Sequence, residues 1–261
     1  MLEVDYNTKL YGVIGRKISY TLSPAIHNYS FSVMGVNAVY LAFDLEEDKV
    51  NKAVPGLLEV GAGFNVTIPY KEKVMEFLDK LDDTAEKVGA VNTIKGKVGY
   101  NTDYLALKEI LSRYGYFDTL VFGAGGASRA IAVAVAEEGV NLYIYDRTRE
   151  KGERLASYLR EKGFKASYVN HCNLSYEIVV NATPDPSFPP DQCIKGKLAI
   201  DFVYTPVMTS FLTRAKEKGM ATVDGLEILV GQALEAQKIW LGKSANKDEV
   251  VKYLYARKLV R

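Results

Sequence analysis

The chain has few of the residues that staple or metallate a fold. Its 261 residues include two cysteines and two histidines. Cys172 and Cys193 do not form a Cys-x-x-Cys pair, so neither a disulfide framework nor a zinc cluster is expected, and both read as small apolar side chains in a reducing cytosol. No metal ion is expected. Charge of one sign is not in excess either: 33 Lys and Arg stand against 32 Asp and Glu, which leaves no global field to hold nucleic acid or an acidic membrane. No apolar run approaches the roughly 18 residues of a membrane span. Glu3 and Asp5 occupy the opening stretch where a signal peptide needs positive charge. The expectation is a cytoplasmic protein whose partner is a small neutral or anionic molecule.

What is present is enough apolar content, 48%, to bury a sizeable core in one large domain or two modest ones. The first hundred residues alternate short apolar runs with helical patterns: Leu10–Ile14, Pro24–Met34 and Val39–Leu45. This is α/β organisation. Ser23 stands in an N-cap place before Pro24, and Gly35 follows where the helix should stop. Gly63–Pro69 reads as a strand, Lys71–Leu78 as a helix, and Val91–Lys95 with Val98–Asn101 as a hairpin through Gly96. Asp103 then opens a helix over Tyr104–Tyr114. The final stretch, Asp248–Leu259, reads as an amphipathic helix with a solvated charged face.

From Thr119 the texture changes. The strand Leu120–Phe122, the turn Gly123-Ala124-Gly125-Gly126-Ala127-Ser128, an alanine-rich helix and the strand Leu142–Tyr145 make a βαβ unit. Glycines at such a turn let backbone N–H groups approach a pyrophosphate at a helix mouth, although Ser128 stands where the usual fingerprint has its third glycine. Asp146 closes the second strand, near the spacing at which a side chain meets the adenosine ribose, and Arg147, Arg149 and Lys151 follow. Runs at Ile178–Val180 and Leu198–Ile200, with helices near Met208–Lys218 and Leu226–Leu241, extend the unit into a doubly wound sheet. A dinucleotide is the expected ligand.

The N-terminal part carries uncharged hydrogen-bonding groups at element ends: Thr21 and Ser23, Asn65 and Thr67, Asn92 and Thr93, Asn101 and Thr102. Such groups suit a small polyhydroxylated ligand. Among them stand one lysine, Lys71, and one carboxylate, Asp103, suited to sharing a proton-transfer task. The runs Tyr20-Thr21-Leu22-Ser23-Pro24 with His27-Asn28, Asn65-Val66-Thr67-Ile68-Pro69-Tyr70-Lys71, Gly89-Ala90-Val91-Asn92-Thr93 and Asn101-Thr102-Asp103 resemble, in order, the signatures of the shikimate dehydrogenase family. The resemblance continues through Gly123–Ser128, Arg147-Thr148, Asn181-Ala182-Thr183, Asp201-Phe202-Val203-Tyr204, Asp224-Gly225 and Gln232.

That resemblance implies two α/β domains: an open substrate-binding domain of residues 1–104 and 232–261, and a Rossmann NADP-binding domain of residues 105–231. It implies reversible reduction of 3-dehydroshikimate to shikimate on the route to chorismate and the aromatic amino acids. It gives Thr21, Ser23 and Tyr204 the substrate carboxylate, and Asn65, Thr67, Asn92, Asp103 and Gln232 the ring hydroxyls. Lys71 and Asp103 become the catalytic pair. Gly123, Ala124, Gly125, Gly126, Ala127, Asp146, Arg147, Thr148, Lys151, Thr183 and Gly225 fall to the cofactor. His27 belongs to the motif as a structural hydrogen-bonder. Departures are Thr21 where serine is commoner, Asp146 where asparagine is usual, Ala106 where glycine is common, and Pro184-Asp185-Pro186 in place of a Gly-Met loop. NADP is the expected cofactor, with NAD open because an aspartate suits an unphosphorylated ribose. A homodimer is carried as an expectation. The alternatives weighed are a quinate or quinate/shikimate dehydrogenase and, in another class, a nucleotide-sensing module without catalysis; a folate dehydrogenase of similar layout is disfavoured by the polyol-matching runs.

Overall fold

The computed structural model describes residues 4–185 and 188–260. In chain order they form β1 (Lys9–Gly15), α1 (Ser23–Val33), β2 (Ala38–Asp44), α2 (Glu47–Val60), β3 (Gly63–Val66), β4 (Lys80–Leu81), α3 (Asp83–Val88), β5 (Thr93–Lys95), β6 (Val98–Tyr100) and α4 (Thr102–Tyr114). The chain continues as β7 (Thr119–Phe122), α5 (Gly126–Ala136), β8 (Leu142–Tyr145), α6 (Arg149–Glu161), β9 (Ala166–Tyr168), β10 (Ile178–Asn181), β11 (Leu198–Asp201), α7 (Ser210–Glu217), β12 (Ala221–Val223), α8 (Gly225–Leu241) and α9 (Lys247–Ala256). Two compact units result, one of Met1–Thr102 with Val230–Leu259 and one of Asp103–Leu229 with Val260–Arg261.

The first unit holds a six-stranded mixed sheet in the order β2-β1-β3-β5-β6-β4. β1 lies parallel to β2 and β3, while β5 runs antiparallel to β3 and to β6. The hairpin turns at Gly96, whose φ of 58° few other residues adopt at low cost. Strand alternation divides the apolar residues between two layers. Ile14, Phe64, Val66 and Ile94 face Val50, Val54 and Leu58 of α2, which repeat at the helical spacing. Tyr11, Val13, Phe31 and Tyr40 pack with Trp240 of α8. The Trp240 indole sits so close over Gly63 that a Cβ there would lie 2.5 Å from its nitrogen, and that N–H donates to the Ile94 carbonyl at 2.9 Å.

Two local expectations are corrected. α1 begins on Ser23 itself with Leu22 in the cap position, and the hydroxyl serving the first N–H is that of Thr21, 3.3 Å from Ser23 N. Proline at the start fixes the helix entry one residue earlier than the cap rule places it. The run after Pro69 forms only a 3₁₀ turn, Lys73–Phe77, because its one buried anchor, Val74, gives no repeating apolar stripe.

The second unit holds a six-stranded sheet ordered β12-β11-β10-β7-β8-β9 with every pair parallel. The chain reverses direction across the sheet between β7 and β10, the doubly wound order in which ligands bind beyond the strands' carboxyl ends. α5 buries nearly its whole length through Ala130, Ala132, Ala134 and their neighbours, small side chains that let the helix lie close on the sheet. Among the described residues the crossovers from β9 to β10 and from β10 to β11 carry no α-helix, and the second has the 3₁₀ turn Asp191–Cys193. Their apolar residues Tyr176, Cys193 and Ile194 cover Phe122, Val179 and Phe211.

Cys172 and Cys193, expected as two separate thiols, form a disulfide between these crossovers, with Cα atoms 5.3 Å apart. Both cysteines lie in loops drawn to the same face of the sheet, a proximity that 21 residues of sequence separation conceal. Closing a loop of that length contributes on the order of 3 kcal/mol by restricting the unfolded chain. Of the loop Pro184-Asp185-Pro186, Pro186 lies outside the described residues.

Candidate active site

In the first unit a hydrogen-bonded network joins the ends of β3 and β5 to the start of α4. Asn65, on β3, accepts from the Tyr40 hydroxyl at 2.7 Å and donates both amide hydrogens inward, to the Asn92 carbonyl at 3.2 Å and Thr93 Oγ1 at 3.0 Å. What it retains is a lone pair on Oδ1, toward which the His27 ring also turns, so it can meet a ligand as an acceptor alone. Asn92 is the complement. Its Oδ1 receives the Thr102 N–H at 2.7 Å and the hydroxyls of Thr93 and Thr102 at 3.1 and 3.2 Å. This leaves its Nδ2 hydrogens as the groups it can offer a ligand. Thr102 Oγ1 also reaches Gln232 Oε1 at 3.5 Å, which brings Asn65, Asn92 and Gln232 into one assembly.

Thr21 and Ser23 are brought together at the mouth of α1, with their hydroxyls 3.2 Å apart. Thr67 lies just past β3, its methyl against Gly15, where a Cβ would come within 2.5 Å. Lys71, half-buried, follows on the same segment, and its backbone carbonyl anchors Val91 N–H at 2.7 Å. Asp103 is buried in the first turn of α4 and belongs to the second unit. An anion in a first helical turn is favoured by the helix dipole. Asn101, by contrast, is fully buried and donates to the Ala90 carbonyl at 2.9 Å.

Behind the network stand residues to which the sequence reading assigned no site. Tyr40 is fully buried; burial holds its phenol well above the ordinary value, opposed by a hydrogen bond with Ser23. His27 stacks on the Tyr40 ring at 4.2 Å, with its Nδ1 3.3 Å from Gln237 Nε2. Burial pushes the His27 pKa down to about 3, so the ring is neutral and acts as a buttress. Tyr40 left no signal in the sequence, because a tyrosine in an apolar strand reads as core.

In the second unit, Gly123 turns the chain with a φ of 109°, and a Cβ there would approach the Ala182 carbonyl oxygen to 3.1 Å. Gly125 is the N-cap of α5, no side chain caps this helix, and the space above Gly125 is open. Gly126 and Ala127 open the helix, and the Ser128 hydroxyl is buried there without a protein partner. An uncapped helix mouth beside small residues with an unspent hydroxyl fits a pyrophosphate. At the end of β8, Asp146 Oδ1 accepts the Thr148 N–H at 2.8 Å, so one of its oxygens is spent on the turn. Arg147 and Lys151 are exposed, whereas Arg149 is turned along α6 to Glu153 at 2.8 Å. Arg147 and Lys151 suit the phosphorylated ribose of NADP, whereas Asp146 suits an unphosphorylated one.

Thr183 and Tyr204 follow β10 and β11. Thr183 gives both its N–H and its hydroxyl to Asn181 Oδ1, at 3.1 and 2.7 Å. Gly225 starts α8 where a Cβ would stand 2.5 Å from the Val203 carbonyl oxygen. Among the described residues no cluster of His, Cys, Asp and Glu could hold a metal ion, and no helix is long and apolar enough to cross a membrane.

Residues 13–94 match the family model described as the shikimate dehydrogenase substrate binding domain. The chain is 50% identical over 262 residues to a shikimate dehydrogenase of Sulfurisphaera tokodaii, covering all of both chains. It is 50% identical to a shikimate dehydrogenase (NADP(+)) of Saccharolobus islandicus, covering 99% of this chain and 98% of that one. Among solved structures, a shikimate 5-dehydrogenase of Thermus thermophilus in complex with NADP(H) and shikimate superposes with a TM-score of 0.84 at 31% identity, over 97% of this chain and 100% of that one.

Proposed function

Because the chain belongs to the shikimate dehydrogenase family, we propose that it catalyses the reversible, NADP-dependent reduction of 3-dehydroshikimate to shikimate, a step toward chorismate and the aromatic amino acids. The observation that carries the reading on this chain is the Asn65–Asn92 network, which presents an oriented acceptor and an oriented donor from neutral groups, as a ring of hydroxyls requires. Thr21 and Ser23, with Tyr204, hold the substrate carboxylate. Asn65, Thr67, Asn92 and Gln232 hold the ring hydroxyls, Asn65 by accepting.

Oxidising a secondary alcohol requires removal of the hydroxyl proton as hydride leaves the same carbon. Lys71 Nζ takes that proton in the direction of shikimate oxidation and returns it in reduction. Asp103 orients the hydroxyl and the ammonium. Gly123–Ala127, Thr183 and Gly225 hold the dinucleotide, and Asp146, Arg147, Thr148 and Lys151 hold its adenosine end. When bound, NADP supplies or takes up the hydride.

A cytoplasmic location belongs to this proposal on the likeness to the relatives, and both cysteines of the disulfide are buried, which restricts reductant access. Steady-state assays of shikimate and quinate with NADP and NAD test the function. Turnover of shikimate with NADP is expected as the best pairing. Binding of NADP without turnover of either acid would favour a nucleotide-sensing module instead.

A further inference from the structure

Asp201 is a fully buried carboxylate, and the hydrogen bonds it receives come from neutral donors. It ends β11. Its Oδ1 accepts from Asn181 Nδ2 and from Val203 N–H, both at 3.0 Å, and its Oδ2 accepts from Thr209 Oγ1 at 2.6 Å. Asn181 ends the neighbouring strand β10. Its other amide contacts hold the next loop: Oδ1 receives the Thr183 N–H and hydroxyl, and Nδ2 also reaches the Asp185 carbonyl at 3.0 Å. The Val203 backbone is pinned from its other side by Gly225, where no side chain fits.

We propose that Asp201 is a positioning residue, a buried anionic latch that fixes the Tyr204 loop directly and the Thr183 loop through Asn181, and so couples the geometry of the substrate and cofactor contacts. The inference rests on the roles proposed above for those two residues. Hydrogen bonds to an ionised acceptor are about twice as strong as neutral ones, so a carboxylate holds the two loops more firmly than an amide of the same shape. Thr209, which donates to it, is also the N-cap of α7, so the same carboxylate steadies the start of that helix. Burial raises the Asp201 pKa to about 6, against the opposing effect of its hydrogen bonds from Thr209, Val203 and Asn181. A folded-state pKa raised above 3.8 means that the group's contribution to stability is present below that value and is lost as pH rises through about 6. The ionised side chain thus weakens the fold at neutral pH, which is the expected signature of a group kept for its site.

The test uses the full chain with Asp201→Asn, Asp201→Ala and Thr209→Val, each measured for Tm at pH 7.5, KM and kcat for shikimate and NADP, and NADPH dissociation constant by nucleotide fluorescence. Asp201→Asn is expected to leave Tm equal or higher while raising both KM values three- to tenfold, with kcat changed less than twofold. Thr209→Val should move KM in the same direction by a smaller factor, and Asp201→Ala by tenfold or more with a lower Tm. Unchanged KM values and NADPH affinity in folded Asp201→Asn and Asp201→Ala proteins would overturn the latch. If the parent protein binds NADPH but lacks shikimate turnover, the functional reading fails on its own. The NADPH constants then still decide the Asp201–Asn181–Thr183 half of the latch.

Discussion

The two regions that carry the proposed site are built in opposite ways. Around Asn65 and Asn92 in the first unit, side-chain hydrogen bonds are nearly saturated, and what is left over is one acceptor and one amide group of fixed direction. Around the glycine turn of the second unit, little is spent. The helix mouth is uncapped, Ser128 has no partner, and Arg147 and Lys151 are exposed. The contrast follows from ligand chemistry. A small ring offers a few hydroxyls whose placement decides specificity, so the donors must be immobilised before it arrives. A dinucleotide is long and charged, and it can be held by backbone N–H groups and mobile cations that adjust to it.

The largest expected effect lies in the built region. Lys71→Ala should lower kcat by roughly a hundredfold to ten-thousandfold, the scale for loss of a general acid or base, with a smaller change in shikimate affinity. Near-normal kcat in stopped-flow and steady-state assays would remove Lys71 from the chemistry and leave the first unit a binding surface only.

The second expected effect separates stability from catalysis. Cys172→Ser with Cys193→Ser removes a staple between two crossovers that carry no α-helix among the described residues, and should lower stability by about 3 kcal/mol. At roughly 2–4 °C per kcal/mol that is a fall in Tm of roughly 6–12 °C, with kcat unchanged. An unchanged Tm, measured by calorimetry under non-reducing conditions, would mean that the crossovers are held by apolar packing alone.

Next comes the carboxylate clamp. Ser23→Ala should weaken shikimate binding by roughly 1.5–3 kcal/mol, seen as a raised KM with kcat little changed, because the clamp holds ground and transition states alike. The methyl ester of shikimate should lose a similar factor against the parent protein. Equal KM values for ester and acid would show that the pair at the mouth of α1 does not read the carboxylate.

The smallest effect belongs to the open region. Arg147→Ala should erase much of the preference for NADP over NAD, while Asp146→Asn should widen it. One like-charge contact at about 4 Å in water costs only about 1 kcal/mol, so the phosphate is still favoured over the aspartate's repulsion. Arg149 contributes less than its place in the sequence suggests, since Glu153 engages it. Parent activity at least tenfold better with NAD would reverse this ranking and make Asp146 the deciding group.

Where sequence and structure agree, the signal is local. The βαβ unit was legible because a strand, a glycine turn and an alanine-rich helix each leave their own mark over a few residues. α2 was not, because Pro55 and Gly56 interrupt its pattern on the exposed side while Val50, Val54 and Leu58 carry the packing. The polar residues of the first unit were legible one by one. Their division into spent and unspent atoms was not, since it depends on partners such as Tyr40 and Thr102, 25 and 10 residues away.

The sequence by itself determined the α/β class, the first βαβ unit of the second unit, the glycine turn and the polyol-suited residues at element ends, because these rest on periodicity, backbone freedom and side-chain chemistry within short windows. Only the tertiary structure decided that Cys172 and Cys193 are joined, that His27 is a neutral buttress to Tyr40, that Asn65 retains only an acceptor, and that Asp201 binds two loops to one buried charge. Each depends on which distant groups share a hydrogen bond or a burial site, and the packing of the sheets sets that distance.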